Sequence, residues 1–128
     1  MTLLMIALGA ALGAPARHLT DRAVQRRHES VLPWGTVIVN VIGSLILGAL
    51  TGAGTVVSPA ALALLGTGFC GALTTYSSFS FETCRLVEEE SYGEAVANVL
   101  LSVLAALAAA AVGYTASAAL WVEPARRW

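Results

Sequence analysis

The segment from residue 68 to residue 82, GFCGALTTYSSFSFE, places two glycines, five serines and threonines and one carboxylate inside an otherwise apolar chain. Polar groups at this density are unfavourable on a helix surface that faces lipid. They suit a helix that lines a polar path through a membrane. The segment therefore restricts the chain to folds in which protein or a polar cavity covers this helix.

The composition of the chain indicates a membrane protein. Of its 128 residues, 57% are hydrophobic and 12% are charged, whereas a soluble domain has about 25% charged residues. The formal net charge of -1 argues against nucleic acid as a partner. We therefore expect a multi-pass protein of the cell membrane, surrounded by the lipid bilayer.

Four apolar segments predict four transmembrane helices in a single domain over residues 1–128. They cover roughly residues 2–16, 33–57, 59–81 and 95–122. The first is short and could extend through its arginine-containing end, since an arginine side chain can snorkel. The predicted connections are a charged loop over 17–32, an uncharged turn over 51–58 and an acidic loop over 85–94. The predicted fold class is an all-α integral membrane protein. Because helices and loops occupy the whole chain, no soluble domain remains for catalysis, and we do not expect an enzyme.

The third segment is predicted to break near its middle. Gly66, Gly68 and Gly71, followed by Thr74 and Thr75, disfavour an uninterrupted helix. Irregular backbone inside a membrane persists only where protein or a polar cavity covers it. Carbonyl groups freed at the break suit a small hard cation, whereas amides freed where the helix restarts suit an anion.

Small and polar residues also form a stripe at helical spacing on the second segment: Thr36, Asn40, Gly43, Ser44 and Gly48. The Asn40 amide can donate two hydrogen bonds, either into a pore or to a neighbouring helix, and the spacing leaves both uses open. Asn98 and Ser102 form a weaker i, i+4 pair on the fourth segment.

Two GxxxG patterns, at residues 9–13 and 48–52, permit close contact between helices. Four short helices enclose little volume, so one subunit is too small to hold a complete pore. The small residues are consistent with an oligomer, although they are also common in membrane helices generally.

Three further side chains allow two interpretations each. Tyr76 and Phe79 are three residues apart, so their electropositive ring edges could hold a small anion or the rings could pack in a core. Glu82 could carry protons, or it could form a structural contact at the membrane edge.

The alternative function is therefore a proton-coupled exporter of the small multidrug-resistance type. Such an exporter needs an acid deep in the membrane, and the first segment offers none.

Three blocks of the sequence resemble the Fluc/CrcB family of fluoride channels. They are GAALGAPAR at 9–17, GTVIVNVIGS at 35–44 and the segment 68–82, which matches the signature G-[FY]-[CL]-G-[GA]-x-T-T-[FY]-S-[TS]-F-S-x-E. The resemblance covers essentially the whole chain. It implies an antiparallel, dual-topology dimer with two pores at the subunit interface. It also implies passive export of fluoride from the cytoplasm, which relieves fluoride toxicity.

The resemblance further implies roles for individual residues. Asn40 would donate hydrogen bonds in the pore, and Tyr76 and Phe79 would bracket fluoride along its path. A polar track between the rings would contain Ser77 and Ser78, with Ser102 contributing from the fourth helix. The backbone carbonyls of Gly71 and Thr74 would hold a structural sodium ion at the dimer centre.

Two features depart from the family pattern. Tyr76 stands where the family usually has phenylalanine, so its hydroxyl could replace, block or shift that anion position. The arginines divide five to two between the predicted sides of the membrane, which fits imperfectly with free insertion in both orientations. Some members of the family form heterodimers of fixed opposite orientation. The predicted partner is therefore a second copy of this chain or a homologous subunit.

Overall fold

The computed structural model of the protein describes residues 1–27, 34–74 and 77–126. The long helices of these residues are α1 (Thr2–Arg27), α2 (Trp34–Gly52), α3 (Pro59–Leu73), α4 (Ser77–Glu88) and α5 (Tyr92–Arg126), and a short 3₁₀-helix, Gly54–Val56, lies between α2 and α3. Helices α1, α2 and α5 are each long and apolar enough to cross a membrane, and α3 is a shorter apolar helix. The described residues form helices and short connections without strands, and the prediction of an all-α membrane protein is confirmed.

The first helix is longer than the sequence predicted. A loop was expected from residue 17, but α1 continues to Arg27 and ends with two arginines in its last turn. That prediction was wrong because the change from apolar to charged residues does not end a helix. Arginine is a good helix former, and cations at a helix C-terminus are favoured by the helix dipole. The rest of the predicted loop lies outside the described residues.

The acidic loop is shorter than predicted for the same reason. Helix α4 continues to Glu88 and α5 begins at Tyr92, so the turn covers only residues 89–91. Glu90 adopts a left-handed conformation there, with φ of 61°. The backbone N–H of Ser91 donates back to the Leu86 carbonyl at 2.8 Å, and this hydrogen bond fixes α4 against the start of α5.

The third predicted segment is broken, as the sequence predicts. Helix α3 ends at Leu73, where Thr74 turns to an extended conformation with φ of -77° and ψ of 155°. Helix α4 then begins at Ser77. A feature that the sequence did not predict lies just before the break, where residues Leu62–Cys70 form a π-helix. Such widened turns are rare and frequently mark functional sites.

Glycines allow the helices to pack in two close pairs, α2 with α5 and α1 with α3. A Cβ at Gly48 would overlap the carbonyl oxygen of Ala110 on α5, and a Cβ at Gly9 would overlap that of Leu64 on α3. Both GxxxG patterns therefore contribute backbone contacts within one chain. These contacts give the two GxxxG patterns a specific packing role. They also fix the positions of the helices that surround the break.

Large apolar side chains cover the outside of the described helices. Leu3 is 81% exposed, Leu107 is 64% exposed and Leu120 is 71% exposed. Such a surface would drive association in water, whereas a lipid environment solvates it. The exposed leucines therefore give α1 and α5 outer faces that suit a membrane environment.

Gly48→Ala is expected to lower the free energy of unfolding by about 1–3 kcal/mol, because the added methyl group pushes α2 away from α5. Gly93→Ala is the matched control, since a Cβ at Gly93 meets no atom within 4 Å. The control is expected to change stability by less than about 1 kcal/mol. Thermal unfolding in detergent measures both. Equal midpoints for the two variants would contradict the close α2–α5 contact.

Candidate functional site

A groove of about 610 Å³ opens between α2, α3, α4 and α5, beside the break between α3 and α4. Most of its wall is apolar. Polar side chains reach the wall from three directions, and these residues are Asn40, Ser44, Thr67, Thr74 and Ser102. The ring of Phe79 completes the wall from the first turns of α4. The groove has the character of a small-ligand site, which combines apolar walls with a few placed polar groups.

Thr74 stabilises the broken end of α3. Both its backbone N–H and its hydroxyl donate to the Cys70 carbonyl oxygen, each at 2.9 Å. Gly43 on α2 makes room for this arrangement, since a Cβ there would overlap the methyl group of Thr74. Gly43 therefore does more than allow helix packing, because the space beside it lets the break lie at the groove wall.

Gly71 lies on the groove wall one turn before the break. A Cβ at this position would meet no atom within 4 Å, so space lies beside the backbone here. Gly71 belongs to the last turn of α3, and the carbonyl groups of a last helical turn have no partner further along the same helix. Backbone carbonyls at a helix end are the kind of oxygen ligand that a hard cation uses.

A series of hydrogen bonds joins α5 to α4 at the edge of the groove. The Ser102 hydroxyl donates to Asn98 Oδ1 at 3.3 Å, and Asn98 Nδ2 donates to Thr83 Oγ1 at 2.9 Å. The Thr83 hydroxyl in turn donates to the Phe79 carbonyl oxygen at 2.8 Å. Asn98 is only 1% exposed. The series connects two groove residues, Ser102 and Phe79, through side chains behind the wall.

The side chain of Glu82, on α4, contacts α2. Its Oε1 accepts from the Thr36 hydroxyl at 3.2 Å, and Oε2 is buried without a hydrogen-bond partner among the described residues. Arg85 instead pairs with Glu89, at 3.9 Å on the exposed surface. The contact with Thr36 favours the structural interpretation of Glu82.

The groove brings together the predicted site residues on which the structure gives information: Asn40, Gly71, Thr74, Phe79 and Ser102. Tyr76 lies outside the described residues. Ser77 and Ser78 begin α4, and their side chains lie outside the description. Their roles toward an ion stay predictions.

Asn98 was only weakly predicted as a site residue, and Thr83 was not predicted at all. Each lies four residues from a groove residue on its own helix, Asn98 from Ser102 and Thr83 from Phe79. Residues at this spacing share a helix face. That spacing was the available signal, but the contact between α4 and α5 that joins the two pairs is not visible in the sequence.

Comparison with a family profile and with known relatives gives results that agree with each other. The sequence profile described as CrcB-like protein, Camphor Resistance (CrcB), matches residues 4–114. The chain is 52% identical to "Fluoride-specific ion channel FluC 1" of Frankia casuarinae, over 94% of this chain and 99% of that protein. It is 54% identical to the protein of the same name from Streptomyces avermitilis, with the same coverage of both chains. The namesake from Thermobifida fusca is 43% identical, over 91% of this chain and 95% of the relative.

Thr36→Val is expected to destabilise the protein by about 1–3 kcal/mol. The substitution removes the hydroxyl that donates to Glu82 Oε1, so that oxygen then lacks a donor, as Oε2 already does. Thr115→Val is the matched control, since the Thr115 hydroxyl bonds only to carbonyl groups of its own helix at an exposed position. Thermal unfolding in the same detergent compares the two. A larger loss in the control would contradict the structural contact between Thr36 and Glu82.

Proposed function

The chain belongs to the CrcB family, and on this premise we propose that it is a passive fluoride channel that exports fluoride from the cytoplasm and so reduces fluoride toxicity. The groove is the observation that carries the proposal. Asn40, Ser102 and Phe79 all line this groove in an apolar helix bundle. Passive conduction needs such a path and no chemical step.

Loss of hydration is the main barrier for fluoride, which is a small and strongly hydrated anion. An asparagine amide such as that of Asn40 and a serine hydroxyl such as that of Ser102 are both able to donate hydrogen bonds to an anion. The edge of the Phe79 ring is electropositive and attracts an anion without adding a full charge. These groups replace part of the water shell as the ion passes, so the barrier falls without binding tight enough to stop conduction.

One chain supplies one side of the path. We propose that a second subunit, either an antiparallel copy or a homologous chain, closes the groove, since four short helices cannot surround a pore. The groove wall at Gly71 and Thr74 suits contact with a partner, because it combines open space with a helix end.

We also propose a structural sodium ion at the break between α3 and α4. The proposed ligands are the backbone carbonyls of Gly71 and Thr74, which are hard donors of the type that a hard cation prefers. Two carbonyls from one chain are too few for such an ion, so equivalent groups from the partner would complete the site. A bound sodium ion would supply fixed positive charge near the anion path.

Passive conduction is tested with the purified protein in liposomes at equal pH inside and outside. Fluoride efflux is driven by a potassium diffusion potential, and internal pH is recorded at the same time. We expect efflux to follow the imposed potential without matching proton movement. Stoichiometric proton movement that Glu82→Gln abolishes would contradict the channel and favour the proton-coupled exporter.

Asn40→Asp is expected to abolish measurable fluoride efflux. A carboxylate on the groove wall repels the anion by about 3 kcal/mol at a separation of roughly 5 Å, which is about 200-fold in rate. Thr55→Asp is the matched control, since it adds the same charge in the exposed connection between α2 and α3. Full efflux through Asn40→Asp would remove Asn40 from the ion path.

Phe79→Ile is expected to slow fluoride efflux about tenfold while the protein stays assembled, because isoleucine fills space but lacks an electropositive ring edge. Phe81→Ile is the matched control, since the Phe81 side chain is 68% exposed and is not on the groove wall. Efflux rates and the size-exclusion profile are measured for both variants. A normal rate for Phe79→Ile would exclude the ring from the path.

A further inference from the structure

The proton positions in the hydrogen-bond series from Ser102 to Phe79 follow from the chemistry of its two ends. The Phe79 carbonyl oxygen can only accept a hydrogen bond, so the Thr83 hydroxyl must donate its one proton to that oxygen. Toward Asn98, Thr83 Oγ1 can then act only as an acceptor. The amide nitrogen of Asn98 must therefore face Thr83, as the 2.9 Å distance has it.

This orientation of the amide determines the direction of the Ser102 proton. With Nδ2 turned toward Thr83, Asn98 presents Oδ1 to Ser102, and a carbonyl oxygen can only accept. The Ser102 hydroxyl therefore directs its single proton at Asn98. Its oxygen lone pairs are left for the groove, although an anion in the groove needs a donor.

We propose that Asn98 is a positioning residue that makes Ser102 a conditional donor, which gives its proton only to an ion that accepts more strongly than an amide oxygen. The inference rests on the proposed function and extends it to selectivity. The bond from Ser102 to Asn98, at 3.3 Å, is the longest of the three, so it is the one that an ion can break. The hydrogen bonds from Asn98 to Thr83 and from Thr83 to the Phe79 carbonyl prevent the Asn98 amide from flipping. Asn98 therefore cannot present its N–H groups to Ser102 instead of Oδ1.

The competition separates anions by acceptor strength. Fluoride concentrates its charge on a small atom and forms stronger hydrogen bonds than an amide oxygen, since bonds to ionised acceptors are about twice as strong as neutral ones. Chloride spreads the same charge over a larger atom and accepts more weakly. Fluoride therefore draws the Ser102 proton into the groove, whereas chloride leaves it on Asn98.

The chain offers a direct spectroscopic test because it contains only two asparagines, Asn40 and Asn98. Protein labelled with ¹⁵N at asparagine shows two side-chain amide signals, which single Asn→Leu variants assign. Sodium fluoride and sodium chloride are titrated into the protein in detergent. We expect fluoride to move the Asn98 signal as Oδ1 loses its donor, and chloride to leave that signal in place.

Serine variants show whether the signal depends on Ser102. In Ser102→Ala, the Asn98 signal should no longer respond to fluoride. Ser117→Ala is the matched control, because Ser117 is also a buried serine of α5 but is not on the groove wall, and the response of Asn98 should persist in it. An Asn98 response that survives in Ser102→Ala would overturn the inference.

The Asn40 signal separates this inference from the proposed function. If fluoride moves Asn40 but not Asn98, fluoride enters the groove without drawing the Ser102 proton, and the inference fails while the channel stands. If fluoride moves neither signal, both the inference and the proposed path through the groove are contradicted.

Asn98→Leu gives a second measurement that does not use the Asn98 signal. Leucine keeps the size of asparagine but cannot hold the Ser102 proton, so the fluoride concentration that half-saturates the Asn40 shift should fall about two- to tenfold. In Ser102→Ala, the same substitution should change that concentration no further. An equal change in both backgrounds would show that Asn98 acts on packing alone and would overturn the inference.

Discussion

Backbone groups that leave a helix inside an apolar bundle must find other partners, and the rest of this structure is arranged around that requirement. The break between α3 and α4 frees groups that lipid cannot satisfy. Thr74 makes the last backbone hydrogen bond of α3, to the Cys70 carbonyl, and its hydroxyl donates to the same oxygen. Gly43 leaves the space for it on α2. The break lies beside a groove whose wall includes the polar residues Asn40, Thr74 and Ser102.

Rigid helix pairs hold the two sides of that groove in place. Backbone-to-backbone contacts at Gly48 and Gly9 leave little freedom for α2 against α5 or for α1 against α3. Helix α5 then carries Ser102 to the wall and Asn98 behind it. Selectivity by hydrogen-bond strength needs donors at fixed positions, because a mobile donor would adapt to any anion. The close glycine contacts provide that fixed frame.

The sequence predicted those features that depend on local chemistry. Glycines and threonines predicted the break in the third segment, and long apolar runs predicted the membrane helices. The prediction failed at Arg17, because a charged residue was interpreted as the end of a helix that continues to Arg27. A change of residue type reports the surroundings of a helix and does not report its hydrogen bonds.

Features that depend on contacts between helices could not be predicted from one sequence. Asn98 and Thr83 lie on different helices, and their hydrogen bond exists only because the turn at residues 89–91 folds α5 back on α4. The π-helix of Leu62–Cys70 was likewise not predicted, because Gly66 and Gly68 within it disfavour a regular helix without indicating which irregular form replaces it. The family resemblance supplied the roles of Asn40 and Phe79, and the structure adds that both lie on one groove wall.

The most direct test of this account is the efflux of fluoride and of chloride from liposomes that contain the purified chain as the only protein. The account predicts rapid fluoride efflux with chloride retained, because the groove lowers the barrier only for a strong hydrogen-bond acceptor. Equal efflux of the two anions would contradict it. Absence of fluoride efflux from folded protein, both alone and with a co-expressed homologous subunit, would contradict the fluoride channel itself.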